Sequence, residues 1–242
     1  GLAACEFGGD KGIFGYGYSS SNVALTNLVS NAGVVATDVS GVGTARSNLA
    51  ACSFGTAYEK GIFAYGNDVS MSNLVSNTGV VASDTTGVGT ARYNQGACEY
   101  GDDKGIFAYG DAGGYVSMSN LVSNTGVVGT DVSGVGSARA GLEACSYGYD
   151  KGIMGFGTTG SYTNITNLVS NTGVIGTDVT GVGTSRIQLG ATQYGGDKGI
   201  FGYGTTGSQS SLTNLVSNEG VVATDTTGVG TARSETIACS YN

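Results

Sequence analysis

The side chains that could do chemistry in this chain come in fives. Asp38 and Arg46 stand eight residues apart, and the spacing returns at Asp84/Arg92, Asp131/Arg139, Asp178/Arg186 and Asp225/Arg233. An acidic residue precedes a lysine at Asp10–Lys11, Glu59–Lys60, Asp103–Lys104, Asp150–Lys151 and Asp197–Lys198. These ten lysines and arginines are all the basic residues of the chain. Two readings fit the Asp/Arg pairs: a ring of charge around one mouth of a central channel, or structural ion pairs and turn caps that tie one unit to its neighbour. Presence in every copy favours the structural reading, and the lysines read as solvated partners of turn carboxylates.

Other chemistry is narrowly bounded. The 242 residues contain no histidine, which excludes a Ser-His-Asp triad and a His-ligated metal. The Gly-Val-Gly segments, such as Gly41–Gly43, lack the following Lys-Ser/Thr of a phosphate-binding loop and open no helix. Calcium wants several carboxylates in one loop, whereas the loop around Asp38 offers one. Paired carboxylates of the glycosidase kind are open on spacing, but nothing singles out two of the 18 acidic residues. The chain therefore reads as a non-enzyme without cofactor or metal. Its net charge of −8 leaves no spare basic patch, which argues against binding nucleic acid through phosphates. No run of 18 apolar residues spans a membrane, and no secretory signal pattern opens the chain.

The elements that must position these residues are repeats. Lys-Gly-Ile-Phe-Gly-Tyr-Gly (Lys11–Gly17) recurs from Lys60, Lys104, Lys151 and Lys198, at steps of 49, 44, 47 and 47 residues. Asn-Leu-Val-Ser-Asn follows from Asn27, Asn73, Asn120, Asn167 and Asn214, and a Gly-Val-Gly-Thr-Ala-Arg-like block ends each copy. The units are 1–46, 47–92, 93–139, 140–186 and 187–233, and 234–242 is left over. A unit of this size cannot bury a core alone and must stack on its neighbours, so 1–242 reads as one domain. Four short strands per unit are expected: Leu2–Phe7, the Lys11–Gly17 stretch, the Asn27 block and Val34–Asp38, with counterparts in each copy. Period-2 alternation puts Phe14 and Tyr16 on one face and Ile13 and Gly15 on the other, aromatics of one sheet packing over small residues of the next. Cys5, Cys52, Cys98, Cys145 and Cys239 share one slot, filled by Thr192 in the fifth copy. They are too far apart for disulfides, which need Cα atoms within ~7 Å, and read as buried thiols. Four strands and a period in the forties suit a blade of a β-propeller. The expectation is an all-β, five-bladed propeller of four-stranded antiparallel blades. Thr236–Tyr241, a sixth copy of the first strand, supplies a closure strand that overlaps or displaces Leu2–Phe7 unless the array is longer.

Arg46-Ser-Asn-Leu-Ala-Ala-Cys-Ser-Phe-Gly followed by Lys60-Gly-Ile-Phe-Ala-Tyr-Gly resembles the first two strands of a kelch repeat, with a single glycine for the double one and no tryptophan. The Lys-Gly-Ile-Phe-Gly-Tyr-Gly strand resembles that of RCC1-type repeats. Near-identical units of this type are also similar to propeller-like repeats in virion proteins of tailed bacteriophages, notably tail-associated ones. That resemblance implies a virion structural or adhesion component, in the virion or extracellular, whose partners are other assembly proteins or a host surface glycan. The alternative is a free-standing multivalent lectin-like protein; a glycan-degrading enzyme ranks last. The binding residues expected on either reading lie in the divergent loops after the second strand. There Tyr18, Tyr115 and Tyr162 offer aromatic platforms, and Asn67 and Gln209 offer amide hydrogen bonds.

Overall fold

In the computed structural model, which describes residues 1–240, the chain is all-β and every unit folds alike. Unit one forms β1 (Ala3–Phe7), β2 (Lys11–Gly15) and β3 (Thr26–Val29); unit two forms β4 (Ala50–Phe54), β5 (Lys60–Ala64) and β6 (Ser72–Val75). Unit three forms β7 (Gly96–Tyr100), β8 (Lys104–Ala108) and β9 (Ser119–Val122). Unit four forms β10 (Glu143–Tyr147), β11 (Lys151–Gly155) and β12 (Thr166–Val169); unit five forms β13 (Gly190–Tyr194), β14 (Lys198–Gly202) and β15 (Thr213–Val216). Each unit is a three-stranded antiparallel sheet with its second strand in the middle. Register runs from Ala3↔Gly15 to Phe7↔Lys11 in unit one and repeats in every copy.

The expected fourth strand is shorter than a strand. In unit one it touches the sheet at two points, Val29↔Val35 and Thr26↔Val39, and every unit repeats this. Three steps along β3 face four along the outer segment, so one residue is extra, as in a β-bulge. The Asn27 side chain fills the opening, donating to Ala36 O at 3.1 Å and to Asp38 Oδ1 at 2.8 Å. The ladder breaks because Asn27 takes over its hydrogen bonds.

The middle strand also ends sooner than alternation implies. Tyr16, Tyr65, Tyr109, Phe156 and Tyr203 all adopt positive φ between 61° and 66°. This turn brings Tyr16 to the same side as Ile13 and Gly15, against Phe63 of the next sheet, ring centroids 5.2 Å apart. Phe14 faces the opposite way, so the two aromatics do not share a face. The aromatic-over-small packing itself holds: a Cβ on Gly15 would meet Phe63 Cζ at 2.8 Å, and one on Gly155 would meet Phe201 Cζ at 2.8 Å.

Sheets stack in chain order, β1 beside β4, β4 beside β7, β7 beside β10 and β10 beside β13. Residues of all six first-strand copies line one cavity, including Ala4, Ala51, Ala97, Ala144, Ala191 and Ala238. The leftover segment neither overlaps nor displaces β1. Gly190 of unit five lies against Thr236–Ala238, and Gly12 of unit one lies against Cys239 Sγ. The segment thus holds a sixth place, between units five and one; Tyr241 of that expected strand lies outside the described residues.

Candidate functional site

Four of the five arginines, Arg46, Arg92, Arg139 and Arg186, build the joints between sheets. Arg46 is fully buried, and its guanidinium stacks 4.3 Å from the centroid of Tyr16 in its own unit. Its Nε donates to Tyr65 O at 2.8 Å and its Nη2 to Asn73 Oδ1 at 2.7 Å, both in the next unit. Arg92, Arg139 and Arg186 are equally buried and stack on Tyr65, Tyr109 and Phe156 respectively, the counterparts of Tyr16. Burial lowers the pKa of Arg46, Arg92, Arg139 and Arg186 from the usual arginine value, the aromatic and carboxylate neighbours opposing it. A guanidinium placed this way is a clamp: stacked on one sheet and hydrogen-bonded to the next.

The aspartates pair differently from their spacing. Asp84 faces Arg46 of the preceding unit at 4.0 Å, and Asp225 faces Arg186 at 3.7 Å. Among the described residues no Asp/Arg pair eight apart, from Asp38/Arg46 to Asp225/Arg233, comes within 4.0 Å. The bulge turns each aspartate back toward the previous unit, while eight residues later the chain has crossed toward the following one. Each carboxylate caps the preceding unit's Gly-Val-Gly-Thr link. Asp84 accepts from Thr44 N at 3.0 Å and Thr44 Oγ1 at 2.7 Å, and Asp131, Asp178 and Asp225 do the same for Thr90, Ser137 and Thr184. Burial works against the charge of Asp84, but bonds from Asn73 and Thr44 outweigh it and hold its carboxyl below the usual range. Asp84, Asp131, Asp178 and Asp225 are thus engaged with the preceding unit, whereas Asp38 and Arg233 are exposed and have no such counterpart among the described residues.

The divergent loops all follow the second strand and so lie at one end of the sheets. Tyr18 is 66% exposed, Tyr115 and Tyr162 are about 40% exposed, and Gln209 is exposed. The three tyrosines are not equivalent. Tyr115, Tyr162 and Gln209 close their loops by pairing with Asp111, Thr158 and Thr205, whereas Tyr18 opens its loop and pairs with Asn22. Asn67 sits in a tighter turn with Asp68, both at positive φ, and Val69 N donates to Gly66 O. The Asn67 Oδ1 is already engaged, accepting from Ser47 N and Ser47 Oγ. Tyr115 borders a shallow groove with Met118, Val132 and Ala138.

The same end carries the mouth of the central cavity, because first and second strands are antiparallel. That mouth, about 280 Å³, is lined by Asn48, Asn94, Gln95, Gln188, Glu143 and Glu235 among small and aliphatic residues. Beyond the ring of alanines the cavity passes Glu6, Ser53, Glu99, Ser146, Gln193 and Ser240. Glu99 accepts from Ser53 N at 2.8 Å and Ser146 Oγ at 2.7 Å. Burial, then the charges of Glu99 and Asp10, push the Glu6 carboxyl up to about 8. Sequence reasoning missed this lining. Its signal was the residue after each cysteine-slot position, which alternates acid or amide with serine.

Among the described residues no group of three or more His, Cys, Asp or Glu is arranged to hold a metal ion. The thiols of Cys5, Cys52, Cys98 and Cys145 are free and buried, that of Cys239 free and half-buried. No protein-family model and no curated protein matches the chain.

Proposed function

We propose that the chain is a non-enzymatic, propeller-like scaffold that presents its loop end to a partner. On this reading the five sheets, each extended by its bulged fourth segment, are blades, and residues 234–240 close the ring. The supporting observation is a division of labour. At the four joints between neighbouring units the recurring side chains, such as Arg46, Asn73 and Asp84, are engaged in bonds within and between sheets. The side chains that differ between units stand exposed at one end. A rigid frame with variable loops is the arrangement of a recognition surface. The partner is a protein of a larger assembly or a surface glycan, and the context that the repeat resemblance implies is a phage virion, at the tail or capsid. Proteomics and immunogold imaging of purified particles test this: label on particles is expected, and chain found only free of them overturns it.

The lectin-like alternative gains from one feature, the amide-lined mouth surrounded by tyrosine-bearing loops, since sugars are held by amides and aromatic faces. A glycan array with wild type and a Tyr18→Ala/Tyr115→Ala/Tyr162→Ala variant separates the two. Glycan retention by wild type alone supports the lectin.

A further inference from the structure

At all four joints between neighbouring units an aspartate caps the preceding unit's threonine or serine, and at three of them a buried arginine donates to the next unit's asparagine; the two walls facing the sixth place carry these groups without such partners among the described residues. The donor wall is unit five. Thr231 occupies the slot of Thr44, Thr90, Ser137 and Thr184 but meets no carboxylate among the described residues. Arg233 stacks on Tyr203 at 4.0 Å like its counterparts, yet it is exposed where they are fully buried. A Cβ on Gly230 would meet nothing within 4 Å, while those on Gly43, Gly89, Gly136 and Gly183 would strike the next unit's aspartate. The acceptor wall is unit one. Asp38 is exposed and receives no threonine, and Asn27 is half-buried where Asn73, Asn120, Asn167 and Asn214 are fully buried.

Apolar groups tell the same story. Tyr194 is 38% exposed, against 1–4% for Phe7, Phe54, Tyr100 and Tyr147 in its slot. Phe14 is half-buried, while Phe63, Phe107, Met154 and Phe201 are fully buried against the preceding sheet. Thr192 stands where the other copies have cysteine, at the one position whose glycine partner would come from a sixth second strand. The segment 236–240, which repeats the sequence of the first strands without forming a strand here, is spaced from unit five as unit four is from unit three: a Cβ on Gly190 would meet Ala238 Cβ as one on Gly96 would meet Ala144 Cβ.

We propose that the space between units five and one is a docking site for strands two to four of one further repeat of this type. The inference rests on the ring reading above. The occupant is defined by complementarity. Its Lys-Gly-Ile strand pairs with 236–240 and lays an aromatic over Gly202. Its aspartate meets Thr231, its asparagine meets Arg233, and its own threonine caps Asp38. A second copy of this chain fits less well, because its outer strands already serve its own sheets, and donating them opens one gap for each it fills. β-Strand addition of this kind combines backbone pairing with side-chain pockets.

The test uses the 242-residue protein and a synthetic peptide of the sequence Gly148–Arg186, followed by calorimetry and native mass spectrometry. One peptide per protein is expected, with micromolar or tighter affinity and protection of Tyr194 from nitration. Asp178→Asn in the peptide and Thr231→Val in the protein should each weaken binding about tenfold, as loss of a charge-assisted hydrogen bond does. If the peptide is insoluble, the same segment fused after Asn242 should raise Tm by several degrees. Absence of binding together with no gain in Tm overturns the proposal. So does binding indifferent to both substitutions, which would be edge pairing alone, and so does a dimer of the unmixed protein that buries Tyr194. Loss of partner or glycan binding at the loops, with peptide docking intact, would refute the proposed function and leave this inference standing.

Discussion

Replacing Gly105 by alanine tests how the sheets are spaced. Gly105 is the second residue of β8, and a Cβ there would lie 2.5 Å from Cys52 Sγ in the preceding sheet. Carbon and sulfur prefer at least the ~3.5–4 Å of ordinary contact, so the sheets must part by about 1 Å or the thiol must leave its rotamer. Ser53 O at 3.4 Å and Val122 Cβ at 3.5 Å bar the other exits. Overpacking of this kind costs about 1–3 kcal/mol. Backbone entropy pulls the other way, since alanine for glycine within a strand is worth roughly 0.5–1 kcal/mol in alanine's favour. The net expectation is a loss of about 1–2 kcal/mol, or a Tm lower by about 2–8 °C for a chain of this size. Cys52→Ala alone should cost about 1–2 kcal/mol through the void it leaves. In the double variant the new methyl occupies the place of the lost sulfur, so the costs should fall short of their sum by about 1 kcal/mol or more. Guanidinium-chloride unfolding of the four proteins reads all three numbers. A Gly105→Ala protein as stable as wild type, or an additive cycle, refutes the packing argument. Gly12→Ala is an internal control, because its Cβ would lie 3.3 Å from Cys239 Sγ, the mildest clash of the five.

Arg186→Met should cost about 3–5 kcal/mol by leaving Tyr203 O, Asn214 Oδ1 and Asp225 without their buried partner, whereas Arg233→Met, at the open wall, should cost under about 1 kcal/mol; chemical unfolding of the two variants compares them. Phe107→Ala should cost about 3–5 kcal/mol and Phe14→Ala distinctly less, since Phe107 is fully buried and Phe14 half-buried; equal losses would mean that both walls are covered in solution. Glu6 titrates near 8 when folded against 4.5 as its ordinary value, so the folded state holds a proton there that the unfolded chain has released. Stability should therefore be full below about pH 4.5 in this respect and decline as pH rises through 8. Tm measured between pH 5 and 9 should fall in wild type and flatten in Glu6→Gln.

What the sequence determined by itself was the repeat and its consequences. Recurrence of Lys-Gly-Ile, Asn-Leu-Val and Gly-Val-Gly blocks at steps near 47 residues set the all-β unit, three of the four strands expected in it, and the stacking of small residues under aromatics. These are local matters of alternation and turn chemistry, repeated five times and so hard to misread. Absence of histidine bounded the chemistry in the same direct way. The tertiary structure decided what depends on which unit faces which. Asp84 pairs with Arg46 rather than Arg92 because a bulge, held open by Asn73, points it backward, and spacing along the chain carries no sign of that direction. Tyr16 leaves the face of Phe14 because its φ is positive, a conformation dictated by the arginine and the sheet it packs against rather than by its own residue type. The place of residues 236–240 was decided last. A sixth copy of one strand fits several closures in sequence. Only the contacts of Gly190 and Gly12 show that it keeps its own position, holding unit five's unused donors apart from unit one's unused acceptors.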